Sequence, residues 1–195
     1  DRPGRVKIQS EAGVRIGGYK DKRLKMGLAA IVGIFVLAAG VALVRDRADR
    51  SLVGDRAFGP DPTTVGALGA AFLEGTARAG VIAAAKHFPG HGATDDDSHA
   101  TLPVIDLGRG PDLDRHLAPF KAAIAAHVEA IMTAHLLYPA LDPRDPASFS
   151  APIIRNLLRT ELGFDGVVIS DSIGMTAVRK NYALSDVLAR TFAAD

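Results

Sequence analysis

The fourteen residues from Lys86 to His99 (KHFPGHGATDDDSH) hold three histidines, one lysine and three aspartates, the densest polar stretch of the chain. Pro89, Gly90 and Gly92 make it a turning loop and not a helix. Such a loop could ligate a metal through His and Asp. It could also move protons, since a histidine oriented by a carboxylate titrates near neutral pH. The third reading is a solvated polar surface. Further along, Asp171 follows the apolar run GVVIS and precedes SIGM. A carboxylate half shielded by apolar neighbours suits nucleophilic attack or stabilisation of positive charge. It would equally serve as the N-cap of a helix over 172–178. Together the two segments supply the minimum for retaining glycoside hydrolysis: a carboxylate nucleophile and a separate proton donor. The usual donor is a second carboxylic acid. His99, two residues after Asp97, is the candidate replacement, with an aspartate to hold the imidazole. A metal-dependent hydrolase using His87, His91 and His99 is the weaker reading, because these histidines lack a fixed spacing on a helix.

These groups need a scaffold, and from residue 54 onward the sequence alternates helix and strand patterns. Asp61 and Pro62 open a helix over 61–79 with apolar Val65, Leu68 and Phe72, and Gly80 stops it. VIAAAKHF (81–88) reads as a strand buried on both faces. Over 112–128, Leu113, Leu117, Phe120, Ile124 and Val128 recur at helical spacing, and AIMTAH (130–135) is the next strand. Ser150 caps a helix that begins near Pro152 and ends before Gly163. GVVISD (166–171) is the clearest strand. The alternation predicts parallel strands with helical crossovers, in a doubly wound sheet or a (β/α) barrel. In both, functional residues gather where strands end. Lys86 with His87, His135, and Asp171 each close an apolar run, which predicts one active-site rim.

Composition narrows the classes. The 195 residues carry 23 Lys and Arg against 22 Asp and Glu, and no basic patch with interleaved aromatics is present, so nucleic acid is not an expected partner. The absence of cysteine excludes disulfides, thiolate metal sites and a cysteine nucleophile.

KHFPGHG (86–92), DSH (97–99), MTAH (132–135) and GFDGVVISDSIGM (163–175), with VGDRAFG (53–59) upstream, resemble glycoside hydrolase family 3. More narrowly, they resemble its bacterial β-N-acetylglucosaminidase branch, which trims sugars from peptidoglycan fragments. The resemblance covers about residues 53–192. It implies a (β/α)8 TIM-type barrel, a retaining double displacement, a small carbohydrate substrate, and neither cofactor nor metal. By resemblance Asp171 is the nucleophile and His99, paired with Asp97, the acid/base. Lys86 and His87 would bind sugar hydroxyls, and Arg56 would help to hold the ring. His91 and His135 would support the shape of the site. The Asp-Ser-His triplet marks the N-acetylglucosaminidase branch, whereas the β-glucosidase branches use a glutamate donor elsewhere.

Three segments are expected: a polar, basic stretch (1–25), an uncharged apolar run of nineteen (26–44), and a partial catalytic barrel (45–195). The apolar run approaches the roughly 20 residues that cross a bilayer, and its alternative is a buried barrel element. Membrane attachment therefore stays open, and cytoplasmic and membrane-anchored or exported locations are both compatible. A family motif like D-Q-E-G-G-R-V has only an echo in QSEAGVRI (9–16), without its aspartate, and no strand like N-L-A-P-V-x-D-V precedes Val53. One more strand and a closing helix are expected beyond FAAD (192–195). The barrel is thus expected to be incomplete, with exposed strand edges. A non-catalytic, truncated remnant is the alternative reading.

Overall fold

The computed structural model describes residues 57–94, 96 and 101–195. The polar stretch 1–25, the apolar run 26–44, the 9–16 echo, Arg56, Asp97 and His99 lie outside the described residues.

The first helix, α1 (Pro62–Arg78), starts where Asp61 accepts hydrogen bonds from the Thr64 backbone N–H and hydroxyl, both at 2.7 Å. Just past its end Gly80 takes φ +70°, the left-handed conformation that glycine adopts without penalty. Its buried face is Val65, Gly66, Gly69, Leu73 and Thr76. Leu68, expected in the core, is 45% exposed. The reason is that small residues make the contact: a Cβ on Gly66 would lie 3.0 Å from Ala122 Cβ, so α1 approaches its neighbour through glycine.

That neighbour is α2 (Pro111–Ala125), which follows the first strand, β1 (Ala84–Phe88). β1 begins later than its apolar run, and Ile82 is exposed. α2 sends Leu113, Leu117 and Phe120 inward, and Phe120 meets Phe88 edge to face at 5.1 Å between ring centroids. Both phenylalanines are fully buried, and each such side chain contributes roughly 1.5–3 kcal/mol of transfer free energy.

Strand β2 (Ala130–Thr133) leads through a single 3-10 turn (Ala147–Phe149) to the helix Pro152–Glu161. Ser150 does bind the start of that helix, accepting from Ile153 N–H at 3.2 Å while its hydroxyl donates to buried Asp142 at 2.8 Å. The helix is wound wider than expected, as a π-type helix; Leu162 N–H reaches back five residues to the Leu157 carbonyl. Strand β3 (Val167–Ser170), α3 (Thr176–Arg179) and α4 (Leu184–Ala194) follow. Arg159 joins three of these parts. Its Nε and Nη2 hold the Asp195 carboxylate, its Nη1 donates to the Phe164 and Gly166 carbonyls, and it sits over the Phe164 ring.

The three strands form one parallel sheet in the order β1-β2-β3, so the chain is an α/β protein with helical crossovers. Ala85, Phe88, Ile131, Leu136, Tyr138, Ile153 and Leu158 are buried in one core with the α2 residues. A smaller cluster, Phe149, Val178 and Val187, lies under α3 and α4. β3 is the least covered strand among the described residues, with Val167 and Ile169 exposed.

Candidate active site

β2 is the frame of the site because it pairs on both sides. Its Thr133 is aligned with Phe88 of β1 and with Ser170 of β3. Between Lys86, paired with Met132, and Phe88, the register slips, leaving His87 as an extra residue. A bulge of this kind re-aims a side chain. His87 Nε2 lies 3.6 Å from Asp171 Oδ2, with both side chains largely buried. His91, also buried, presents its ring edge-on to His87 at 5.8 Å between centroids. Lys86 sits half-buried one residue earlier on β1.

Asp171 is fixed at the end of β3. Its N–H donates to the Thr133 carbonyl at 3.0 Å, and its Oδ1 accepts the Ser172 N–H at 2.7 Å. The alternative of a helix cap does not hold, because the next helix starts only at Thr176, with Met175 at its cap. One carboxylate oxygen is therefore tied to the backbone and the other faces His87, in a position that is 20% exposed. A carboxylate so placed can attack an electrophilic carbon that reaches it from the open side of the rim.

His135 is enclosed just beyond β2. Its Nδ1 is 2.7 Å from Ser148 Oγ and its Nε2 is 3.0 Å from the Ser172 carbonyl. A carbonyl can only accept, so Nε2 carries the proton; burial pushes the imidazole pKa below its ordinary 6.5, against the opposing pull of the Ser172 carbonyl and the Asp171 charge. The ring is thus neutral, and Nδ1 accepts the Ser148 hydroxyl. A depressed folded-state pKa means that the unfolded chain takes up the proton first as pH falls. The stability contribution is complete above about pH 6.5 and is lost as pH drops through the lower folded value. His135→Gln should therefore lose less stability than the parent between pH 7 and pH 5, as read from urea midpoints. A parallel loss in both would refute the neutral assignment.

The PGHG turn is held from beneath. The Tyr138 hydroxyl donates to the Gly90 carbonyl, and a Cβ on Gly90, whose φ is +143°, would lie 3.0 Å from His116 Cβ on α2. The structure thus brings Lys86, His87, His91, His135 and Asp171 to one rim, while Arg56, Asp97 and His99 are outside the described residues. Ser148, Ser172, Tyr138 and His116 were not singled out from the sequence. His116 lies on the inward face of α2 with Leu113, Leu117 and Phe120, a polar residue in an apolar stripe. Asp142 left a clearer trace, as the first residue of DPRDP, a turn in which it accepts the Arg144 and Asp145 N–H groups at 3.0 and 3.3 Å.

The sequence profile described as "Glycosyl hydrolase family 3 N terminal domain" matches residues 26–194. The chain belongs to glycoside hydrolase family 3. Among its family 3 relatives, a beta-hexosaminidase of Xylella fastidiosa is 48% identical over 128 residues, covering 65% of this chain and 38% of that protein. A beta-hexosaminidase of Nitrosomonas eutropha is 39% identical over 181 residues, covering 86% of this chain and 51% of its own length. The solved structure of a glycoside hydrolase family 3 beta-N-acetylglucosaminidase from Paenibacillus sp. str. FPU-7 superposes with a TM-score of 0.77 at 38% identity. It covers 89% of this chain and 35% of that one. The chain therefore spans from about a third to about half of the length of these relatives. The parallel strands and helical crossovers agree with the TIM-barrel-like α/β fold of the family 3 N-terminal domain.

Proposed function

We propose that this domain is the catalytic part of a retaining β-N-acetylhexosaminidase that removes terminal β-linked N-acetylglucosamine, with peptidoglycan fragments as its substrates. The observation that carries the reading is Asp171, a partly shielded carboxylate at the strand-end rim with Oδ1 bound to Ser172 N–H and Oδ2 turned to His87. The names of the beta-hexosaminidase relatives support the substrate class. In this reading an Asp171 oxygen attacks the anomeric carbon as the glycosidic C–O bond breaks. His99, oriented by Asp97, gives its proton to the leaving oxygen. It then takes a proton from the water that attacks the glycosyl-Asp171 intermediate, which returns the product with retained configuration. Lys86, His87 and Arg56 bind sugar hydroxyls. The whole protein closes a (β/α)8 barrel in this reading. The family match starts at residue 26 and so takes in the apolar run 26–44.

The test compares release of p-nitrophenol from its β-N-acetylglucosaminide and its β-glucoside. Preferential release from the first is expected. A folded sample that cleaves neither would favour a non-catalytic remnant. His99→Ala should lower kcat/KM for substrates with poor leaving groups by about 100-fold or more and for activated aryl glycosides much less, since only the former need a proton as the glycosidic bond breaks. Equal losses on both would remove His99 as the donor. If inorganic phosphate speeds turnover and yields a sugar phosphate, phosphate and not water is the acceptor.

A further inference from the structure

Two side chains from the end of β2 reach across to the backbone around Asp171. The Thr133 hydroxyl donates to the Ile169 carbonyl at 3.3 Å, two residues before the carboxylate. His135, just beyond the end of the strand, contacts the Ser172 carbonyl at 3.0 Å, one residue after it. Ser172 is the residue whose N–H binds Asp171 Oδ1 at 2.7 Å. It is thus held at its carbonyl by an imidazole while its N–H holds the carboxylate. The imidazole is itself fixed, because Ser148, fully buried in the 3-10 turn, lies 2.7 Å from its other nitrogen.

Resting on the assignment of Asp171 as nucleophile, we propose that His135 is a positioning residue: its Nε2–H, donated to the Ser172 carbonyl while Nδ1 accepts the Ser148 hydroxyl, clamps Ser172 and thereby orients the attacking carboxylate. His135 is not expected to touch the sugar, since its ring nitrogens already face Ser148 and the Ser172 carbonyl. Its effect should fall on the rate of the covalent step and leave substrate binding nearly unchanged. The chain of contacts also divides the labour between its two nitrogens, which can be tested separately. Glutamine places an amide N–H near the site of Nε2 and keeps the donor to Ser172. Asparagine places its amide near Nδ1, keeps contact with Ser148 and cannot reach Ser172.

The experiment pairs H135N and H135Q in the full chain. In nitrogen-detected NMR of the parent, the His135 ring should show a protonated Nε2 and an unprotonated Nδ1 at pH 7, and S148A, which leaves the Ser172 carbonyl in place, should keep that tautomer. The Asp171 and Ser172 amide signals should move in H135N and stay near the parent in H135Q. With p-nitrophenyl β-N-acetylglucosaminide, H135N should lose on the order of 100-fold in kcat with little change in KM, as expected when a reacting group is misplaced by about 1 Å. H135Q should recover most of that loss. Equal impairment of the two variants, or a parent ring protonated on Nδ1, would overturn the proposal. A parent chain without turnover would instead count against the hexosaminidase reading, and the NMR comparison would still decide the clamp.

Discussion

Asp171→Ala should lower turnover of p-nitrophenyl β-N-acetylglucosaminide by about 1,000-fold or more while the chain keeps its cooperative melting transition. Both halves of this expectation come from the geometry. The carboxylate makes one short bond, to the adjacent Ser172 N–H, and faces His87 at 3.6 Å. Losing such a partly exposed local bond costs about 1 kcal/mol. Asp171 is also held by its main chain, through its N–H to Thr133, and that bond survives the substitution. The chemical loss is far larger, because without the carboxylate no covalent intermediate can form. A small anionic nucleophile such as azide, admitted into the space left by the side chain, should restore part of the rate and give a glycosyl azide of inverted configuration. Turnover retained in the alanine variant would remove Asp171 as the nucleophile. Lost turnover accompanied by a lost melting transition would place its role in folding.

Gly166→Ala should destabilise the fold by about 3 kcal/mol or more, one of the larger effects a single methyl group can have. The added Cβ would stand 2.5 Å from the Glu129 carbonyl oxygen and 2.7 Å from Phe164 Cζ. That carbonyl accepts the Val167 N–H at 2.9 Å, the bond that opens the pairing of β3 with β2. It cannot retreat without releasing the strand. Gly166 also gives its own carbonyl to Arg159, so movement of the glycine disturbs the guanidinium that ties Asp195 to the π-type helix. Gly75, exposed within α1, is the natural control: its Cβ would meet nothing within 4 Å. Gly75→Ala should raise stability by up to about 1 kcal/mol through helix propensity. Denaturant midpoints of the two variants should move in opposite directions; a neutral Gly166→Ala would mean that β3 is not seated as described.

The sequence made the order of elements legible because apolar spacing reports burial directly. Leu113, Leu117 and Phe120 face inward at helical spacing, and the runs that end in Phe88, Thr133 and Ser170 are parallel neighbours. It failed where contact is made by residues with little side chain. Gly66 and Gly69 carry the α1 interface, so an apolar count assigned Leu68 to the core in error. Ile82 was drawn into a strand that begins only at Ala84. A helix directly after Asp171 was also too early, since residues 172–175 turn before Thr176. Within the site, the closing of apolar runs by polar residues was enough to bring His87, His135 and Asp171 together on one rim. Their connections were not legible: the contact of His135 with Ser148 spans thirteen positions and a turn, and its contact with Ser172 spans thirty-seven. No periodicity encodes either.

The aligned row of Phe88, Thr133 and Ser170 also governs where this chain can change length. An insertion in the exposed stretch 106–110, ahead of α2, alters only a surface connection. There each doubling of loop length costs about 0.6 kcal/mol. One residue gained or lost between Ala130 and Thr133 does something different in kind. It turns every later side chain of the strand to the opposite face, taking Thr133 from Ile169 and His135 from Ser172 in a single step. β1 already accommodates such an extra residue, at His87. Deleting it would straighten the strand and remove the imidazole that faces Asp171. Tolerance to insertion and deletion should therefore be high before α2 and nearly nil across the strand ends, whatever amino acids are used.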